Sequence, residues 1–106
     1  CILVDDMVDT AGTLTAAADA IVKAGATEVY AACTHGVLSG NAIEKINNCA
    51  LKELIITNTI KQPAEKHSDK IKVLSVGNLL GQGIIRILED EPLSDLFTYQ
   101  DDSIRK

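Results

Sequence analysis

The segment VDDMVDTAGTL, residues 4–14, combines carboxylates with a turn of small residues. Asp5 and Asp6 are adjacent, and Asp9 follows three residues later, at the first position of the turn. Small residues before a helix let several backbone N–H groups converge on one anion. Adjacent carboxylates need hydroxyl donors, water or a metal to relieve their repulsion. A sugar phosphate meets both requirements, because its phosphate enters the turn while its cis-diol hydroxyls donate to the acids.

The turn itself, residues 9–13, is the candidate phosphate loop. Gly12 allows close approach to the backbone, and the hydroxyls of Thr10 and Thr13 are further donors. A plain strand-to-helix turn with a capping threonine would share the TAGT sequence, so it is the acids that favour a ligand. A Walker B strand also ends in acids, but its partner motif GxxxxGK[ST] is absent from this sequence. A receiver domain would need a separate acceptor aspartate at a later strand end, and the sequence has none there.

Composition narrows the class of protein. The 106 residues are 46% hydrophobic, which fits one small domain, and the net charge is −5. Scattered basic residues argue against a nucleic-acid partner. No apolar run approaches the roughly 18 to 20 residues that cross a bilayer, and the sequence shows no signal core. We therefore expect a soluble, cytoplasmic protein without nucleic-acid or membrane partners.

The cysteines and histidines do not suggest a metal site. Cys1, Cys33 and Cys49 are odd in number and lack CxxC pairing, so we expect reduced thiols. His35 and His67 have neither an HxxxH spacing nor a cysteine partner. His35 directly follows a predicted strand, where we expect it to cap the next loop, and His67 is predicted to be solvated.

Apolar runs alternate with helical patterns along the chain. The predicted strands are residues 1–6, 28–34, 53–57 and 71–76, of which the first lacks alternation and so is expected to be buried on both faces. Residues 61–70 are polar and contain a proline, which predicts a surface loop. The alternation implies parallel crossovers and an open three-layer α/β sheet with its ligand at the strand carboxyl ends.

Three helices are predicted between and after these strands. The first begins near Leu14, with Thr13 as N-cap and Gly25 at the C-cap; Ser39 caps a short second helix. The third runs from a capping Asn78 to about Glu89. We expect its apolar residues to face inward: Leu80, Ile84, Ile87 and Leu88.

Five segments together resemble the ribose-phosphate pyrophosphokinases. They are ILVDDMVDTAGTL (2–14), THGVLSGNAIEKI (34–46), TNTI (57–60), KIKVLSV (70–76) and LFTY (96–99). The resemblance implies a sheet of the type I phosphoribosyltransferase kind and one phosphoribosyltransferase-like domain over residues 1–106. It also implies that the chain is the C-terminal half of such an enzyme. The missing N-terminal half supplies most of the ATP site, a metal-binding histidine and a mobile catalytic loop in that family.

The resemblance also implies an activity and its ligands. The family transfers the pyrophosphoryl group of MgATP to ribose 5-phosphate, which makes phosphoribosyl diphosphate for nucleotide biosynthesis. No catalytic residue or metal ligand is expected within this segment, Mg²⁺ being held mainly by the missing half or by substrate. The segment is expected to bind ribose 5-phosphate, to be inactive alone and to assemble as a homo-oligomer. Asp5 and Asp6 would hold the ribose hydroxyls, and the 5′-phosphate loop would comprise Asp9, Thr10, Ala11, Gly12 and Thr13.

Two alternatives stay open at this point. A phosphoribosyltransferase that consumes phosphoribosyl diphosphate would carry the same loop, and only THGVLSG, TNTI and the tail speak against it. A non-catalytic, synthetase-associated regulatory subunit would resemble the catalytic chains throughout. The family's paired serines of an allosteric phosphate site correspond here to Pro92 and Ser94, so phosphate regulation is not expected.

Overall fold

The computed structural model describes residues 1–97 and divides the chain into two compact units, Cys1–Ser75 and a second that begins at Val76. The last two residues of the LFTY segment lie outside the described residues. The first unit contains β1 (Ile2–Val8), α1 (Gly12–Lys23), β2 (Val29–Gly36), α2 (Ala42–Asn47), β3 (Leu51–Thr57) and β4 (Ile71–Leu74). The second contains α3 (Gly77–Leu88) and a 3₁₀ turn (Ser94–Phe97).

The four strands form one parallel sheet in the order β1-β2-β3-β4. The predicted α/β class with a parallel sheet is confirmed. Every connection steps to the next strand in the same direction, and because such crossovers are right-handed, they lie on one face of the sheet. Accordingly α1 packs against β2, β3 and α2. Residues 1–75 therefore form two of the three predicted layers.

The core lies between that face of the sheet and the two helices. Alternate residues of β2 are buried, as expected for a sheet with one covered face. The same core receives side chains from α1, α2 and β3. Its buried members are Val8, Ala11, Ala18, Val29, Ala31, Cys33, Leu38, Ala42, Ile46, Leu51, Leu54 and Ile56.

Strand β1 differs from the prediction of a strand buried on both faces. Ile2 is 69% exposed and Val4 is 80% exposed. β1 stands at one edge of the sheet, and the helices cover only one of its faces. A continuous apolar run thus identified the strand correctly but not its surroundings in residues 1–75.

The three predicted N-cap residues do not cap their helices. α1 begins at Gly12, with Ala11 rather than Thr13 at the N-cap. Neither Ser39 nor Asn78 caps a helix, since α2 and α3 follow Asn41 and Val76 without a side-chain cap bond.

The predicted end of α1 is confirmed. Gly25 has a φ of 116°, and its N–H donates to the carbonyl of Val22 over 3.0 Å. The N–H of Ala26 donates to Ile21 over 3.2 Å. This pair of bonds is a Schellman motif, for which glycine is favoured because it adopts a positive φ without strain.

The polar segment 61–70 is a loop, as predicted, but it also closes one end of the core. Ser68 is only 5% exposed and bonds to Asn47. The ammonium of Lys70 donates to the carbonyls of Ile46 (3.2 Å) and Cys49 (2.8 Å). The Lys70 side chain of this loop thus provides hydrogen bonds to carbonyls at the end of α2.

Helix α3 does not show the predicted inward face. None of its residues is buried. Ile87 is 63% exposed and Leu88 is 79% exposed. Periodicity identifies an apolar face, but it does not identify the element that covers it.

Gly36 gives a test of this packing. A Cβ added there would lie 2.6 Å from Cδ1 of Ile56, a side chain with no exposed surface. We expect Gly36→Ala to lower the free energy of unfolding by about 1–3 kcal/mol in a denaturant titration. Ile56→Val removes Cδ1, so its cost should be smaller in the Gly36→Ala background. Gly83→Ala is the matched control, because nothing lies within 4 Å of its added Cβ. Equal stability of the Gly36→Ala and control proteins would contradict this packing.

Candidate functional site

The turn between β1 and α1 contains a residue in a rare backbone conformation. Ala11 has φ 67° and ψ 7°, and it is 4% exposed. The left-handed conformation costs a non-glycine residue roughly 1–2 kcal/mol. No side chain caps α1 at this position. The first N–H groups of a helix have no intrahelical acceptor, so this turn offers them to an external one.

The loop between β2 and α2 fixes this turn. The carbonyl of Val8 accepts from the N–H groups of Val37 (2.9 Å) and Leu38 (3.2 Å). The N–H of Ser39 donates to the Asp9 carbonyl over 3.0 Å, and the Ser39 hydroxyl donates to Oδ1 of Asp9. The Asp9 side chain therefore positions the loop. Ser39 was predicted as a helix cap, and its role here depends on a contact across 30 residues that no local pattern indicates.

Gly12 was predicted to allow close approach to the backbone, and this role does not need a positive φ. It begins α1 and is not among the residues with positive φ. A Cβ added there would lie 3.8 Å from Nζ of Lys45 and 4.0 Å from Oγ1 of Thr10. The missing side chain thus leaves room beside an ammonium and a hydroxyl. The sequence indicated no cation near the loop, because Lys45 comes from α2.

Asp5 and Asp6 lie within β1, before its carboxyl end. The N–H of Asp6 donates to Oδ1 of Asp5 over 2.8 Å. Because consecutive residues of a strand point to opposite faces, the two carboxylates do not face one ligand as a pair.

A cavity of about 250 Å³ adjoins the turn. It is lined by Asp5, Met7, Val8 and residues 9–14, and Asp6 is not among its lining residues. The structure thus brings together six of the predicted site residues and separates the seventh. The six are Asp5, Asp9, Thr10, Ala11, Gly12 and Thr13.

Cys33 pairs in register with Asp5 on the neighbouring strand. Burial raises the pKa of the Cys33 thiol, and the Asp5 charge raises it further, with a smaller contribution from Asp6. All three cysteines are free thiols, as predicted.

His35 links two of the segments that carry the resemblance. Its Nδ1 lies 2.7 Å from the hydroxyl of Thr59, which follows β3. The Thr57 hydroxyl donates to the carbonyl of Thr34 over 2.6 Å. His35 therefore joins the end of β2 to the loop after β3, and its partner is not in the loop that it was expected to cap.

Within residues 1–97, no group of three or more His, Cys, Asp or Glu side chains could hold a metal ion. No helix in the described part of the chain has the length and apolar character to cross a membrane.

The chain has identifiable relatives. Residues 1–98 match the family described as the phosphoribosyl synthetase-associated domain. The chain is 60% identical over 97 residues to ribose-phosphate pyrophosphokinase 1 of Lactococcus lactis, covering 92% of this chain and 30% of that relative. It is 58% identical over 97 residues to ribose-phosphate pyrophosphokinase of Bacillus subtilis, covering 92% of this chain and 31% of that relative. A crystal structure of phosphoribosylpyrophosphate synthetase from Mycobacterium smegmatis matches with a TM-score of 0.83 and 40% identity, covering 85% of this chain and 30% of that one.

The fold and the matched segment assign the class: the chain belongs to the phosphoribosyl synthetase-associated domain family. It spans about 30% of the length of these relatives. The expectation that it is half of such an enzyme is therefore wrong in extent, and these matches do not support a C-terminal position.

The register of Asp5 with Cys33 predicts a pH effect. A thiolate is the form that alkylates, so the rate of Cys33 alkylation rises as pH passes its pKa. In a Cys1→Ser, Cys49→Ser background, we expect an inflection above the usual range for a thiol. Asp5→Asn should move it to lower pH, because a repelling charge is removed, and Asp6→Asn should move it less. Mass spectrometry at a series of pH values measures both. An inflection that Asp5→Asn leaves unchanged would contradict this arrangement.

Proposed function

We propose that this chain is part of a ribose-phosphate pyrophosphokinase, which transfers the pyrophosphoryl group of ATP to ribose 5-phosphate. Support comes from relatives of that name at 60% and 58% identity. Because the chain spans about 30% of their length, the activity belongs to the whole protein.

The contribution proposed for this segment is to bind and orient ribose 5-phosphate. This proposal is supported by one observation: the uncapped start of α1 and Asp5 both line the same cavity. The 5-phosphate would accept from the N–H groups of Gly12, Thr13 and Leu14, the first three of α1. Asp5 would accept from the ribose hydroxyls. Asp6 lies on the other face of β1 from Asp5. Its expected role in binding the ribose hydroxyls stays a prediction.

The reaction itself is an in-line displacement. The anomeric hydroxyl oxygen of the sugar bonds to the β-phosphorus of ATP while losing its proton. The bond from that phosphorus to the α–β bridging oxygen breaks, and AMP leaves. Such transfers depend mostly on positioning and charge neutralisation. This segment would provide positioning.

ATP and Mg²⁺ would be held largely outside this segment. We propose that Mg²⁺ is held mainly by the substrates or by the rest of the enzyme, as the resemblance to the ribose-phosphate pyrophosphokinases implies. We further propose a homo-oligomer in the cytoplasm. A non-catalytic subunit of the same family is the alternative, and it would bind the sugar phosphate without forming AMP as a full-length protein.

The chain alone should not be a synthetase. We expect no AMP from ATP, Mg²⁺ and ribose 5-phosphate in its presence, whereas the full-length enzyme forms AMP. AMP formation by the purified chain above a mock preparation would contradict the proposed division of labour. Absence of activity from the full-length protein too would favour the non-catalytic subunit.

Single substitutions in the full-length enzyme test the acids separately. A hydrogen bond to a charged group contributes roughly 1.5–3 kcal/mol, so Asp5→Asn should lower kcat/KM for ribose 5-phosphate roughly 10- to 100-fold. Asp6→Asn should lower it less. Asp69→Asn, the same change on an exposed loop residue, is the control. Steady-state kinetics at saturating ATP give these values, and an unchanged kcat/KM in Asp5→Asn would exclude its ribose role.

A further inference from the structure

The ammonium of Lys45 lies beside the candidate phosphate loop although its residue belongs to another helix. Its Nζ is 3.8 Å from the position of a Cβ on Gly12, and Oγ1 of Thr10 is 4.0 Å from the same point. Two hydrogen-bond donors thus border the space that the glycine leaves open. That space adjoins the first turn of α1, where N–H groups have no intrahelical acceptor.

Four lysines of the first unit have no acceptor in the described part of the chain, and of these Lys45 is half-buried while Lys23, Lys61 and Lys72 are exposed. Lys66 donates to the carbonyl of Leu38, Lys70 to the carbonyls of Ile46 and Cys49, and Lys52 to Glu28. The described residues provide no hydrogen bond or ion pair to the ammonium of Lys45, although this residue is half-buried. A half-buried ammonium without an acceptor favours an external anion.

The charge of the site gives a reason for such a cation. A phosphate monoester carries about −1.5 to −2 charges near pH 7. The N-terminus of a helix offers only about half a positive charge. Asp5 and Asp9 line the same cavity, and their carboxylates repel a phosphate. The loop alone therefore does not neutralise its proposed ligand.

We infer that Lys45 is a ligand of the 5-phosphate, with its ammonium opposite the N–H groups of α1. This inference rests on the proposed function and adds a residue that specifies the ligand. Lys45 would select a sugar that carries a phosphate monoester over the free sugar.

Kinetics of the full-length enzyme test this assignment. Lys45→Met keeps the length of the side chain and removes its charge. We expect it to raise the KM for ribose 5-phosphate at least about 10-fold, with kcat and the KM for ATP changed less than twofold. The increase should shrink at high salt, because the lost interaction is one between charges. Lys45→Arg should restore most of the affinity, and Lys23→Met, at the far end of α1, should have no effect.

A second loop variant separates failure of this inference from failure of the proposed function. Gly12→Val fills the space between the loop and the ammonium, so it should also raise the KM for ribose 5-phosphate. If Gly12→Val raises this KM and Lys45→Met leaves it within twofold, the role of Lys45 is wrong and the loop site stands. If neither variant changes it, both are wrong. Equal loss of affinity for ATP and sugar, with a lower melting temperature, would show a structural role and overturn the inference. Lys45→Gln replaces Lys45→Met if the latter does not fold.

Discussion

The contact between the β1–α1 turn and the β2–α2 loop determines the geometry of this site. The carbonyl of Val8 accepts two backbone hydrogen bonds. The carbonyl of Asp9 accepts from the N–H of Ser39, and its carboxylate accepts from the Ser39 hydroxyl. These bonds hold the turn against the covered side of the sheet and compensate the left-handed conformation of Ala11. The same loop leads into α2, which carries Lys45. One junction therefore sets both the backbone that we propose to bind the anion and the position of the cation beside it.

Electrostatics explain why the site needs more than one element. A phosphate and several carboxylates within one small cavity repel each other. Because the chain has a net charge of −5, the proposed site needs positive charge or hydrogen-bond donors next to the phosphate. The strand separates Asp5 from Asp6 by pointing them to opposite faces. The proposed sugar separates its phosphate from Asp5 by its own length. In the proposed arrangement, Lys45 contributes the positive charge that backbone dipoles supply only in part.

The sequence predicted the parts of this molecule that depend on local patterns. The strands, the loop at residues 61–70 and the Schellman end of α1 followed from apolar runs, polar composition and Gly25. The helix starts were less predictable, because Thr13, Ser39 and Asn78 are all good caps and none was used as one. Ser39 and Lys45 join the site through contacts across about 30 residues, which only the fold reveals. The exposed apolar faces of β1 and α3 show that an apolar pattern does not identify the element that packs against it.

The most direct test of the sugar-phosphate site is an NMR titration of this chain with ribose 5-phosphate, followed through its backbone amide resonances. Binding at the turn predicts saturable shifts centred on Gly12, Thr13 and Leu14, with weaker shifts near Asp5. Ribose without its phosphate should produce much smaller shifts at equal concentration, because the proposed anchor is the anion. Shifts centred elsewhere, or a folded chain whose amides do not respond to millimolar ribose 5-phosphate, would contradict the account.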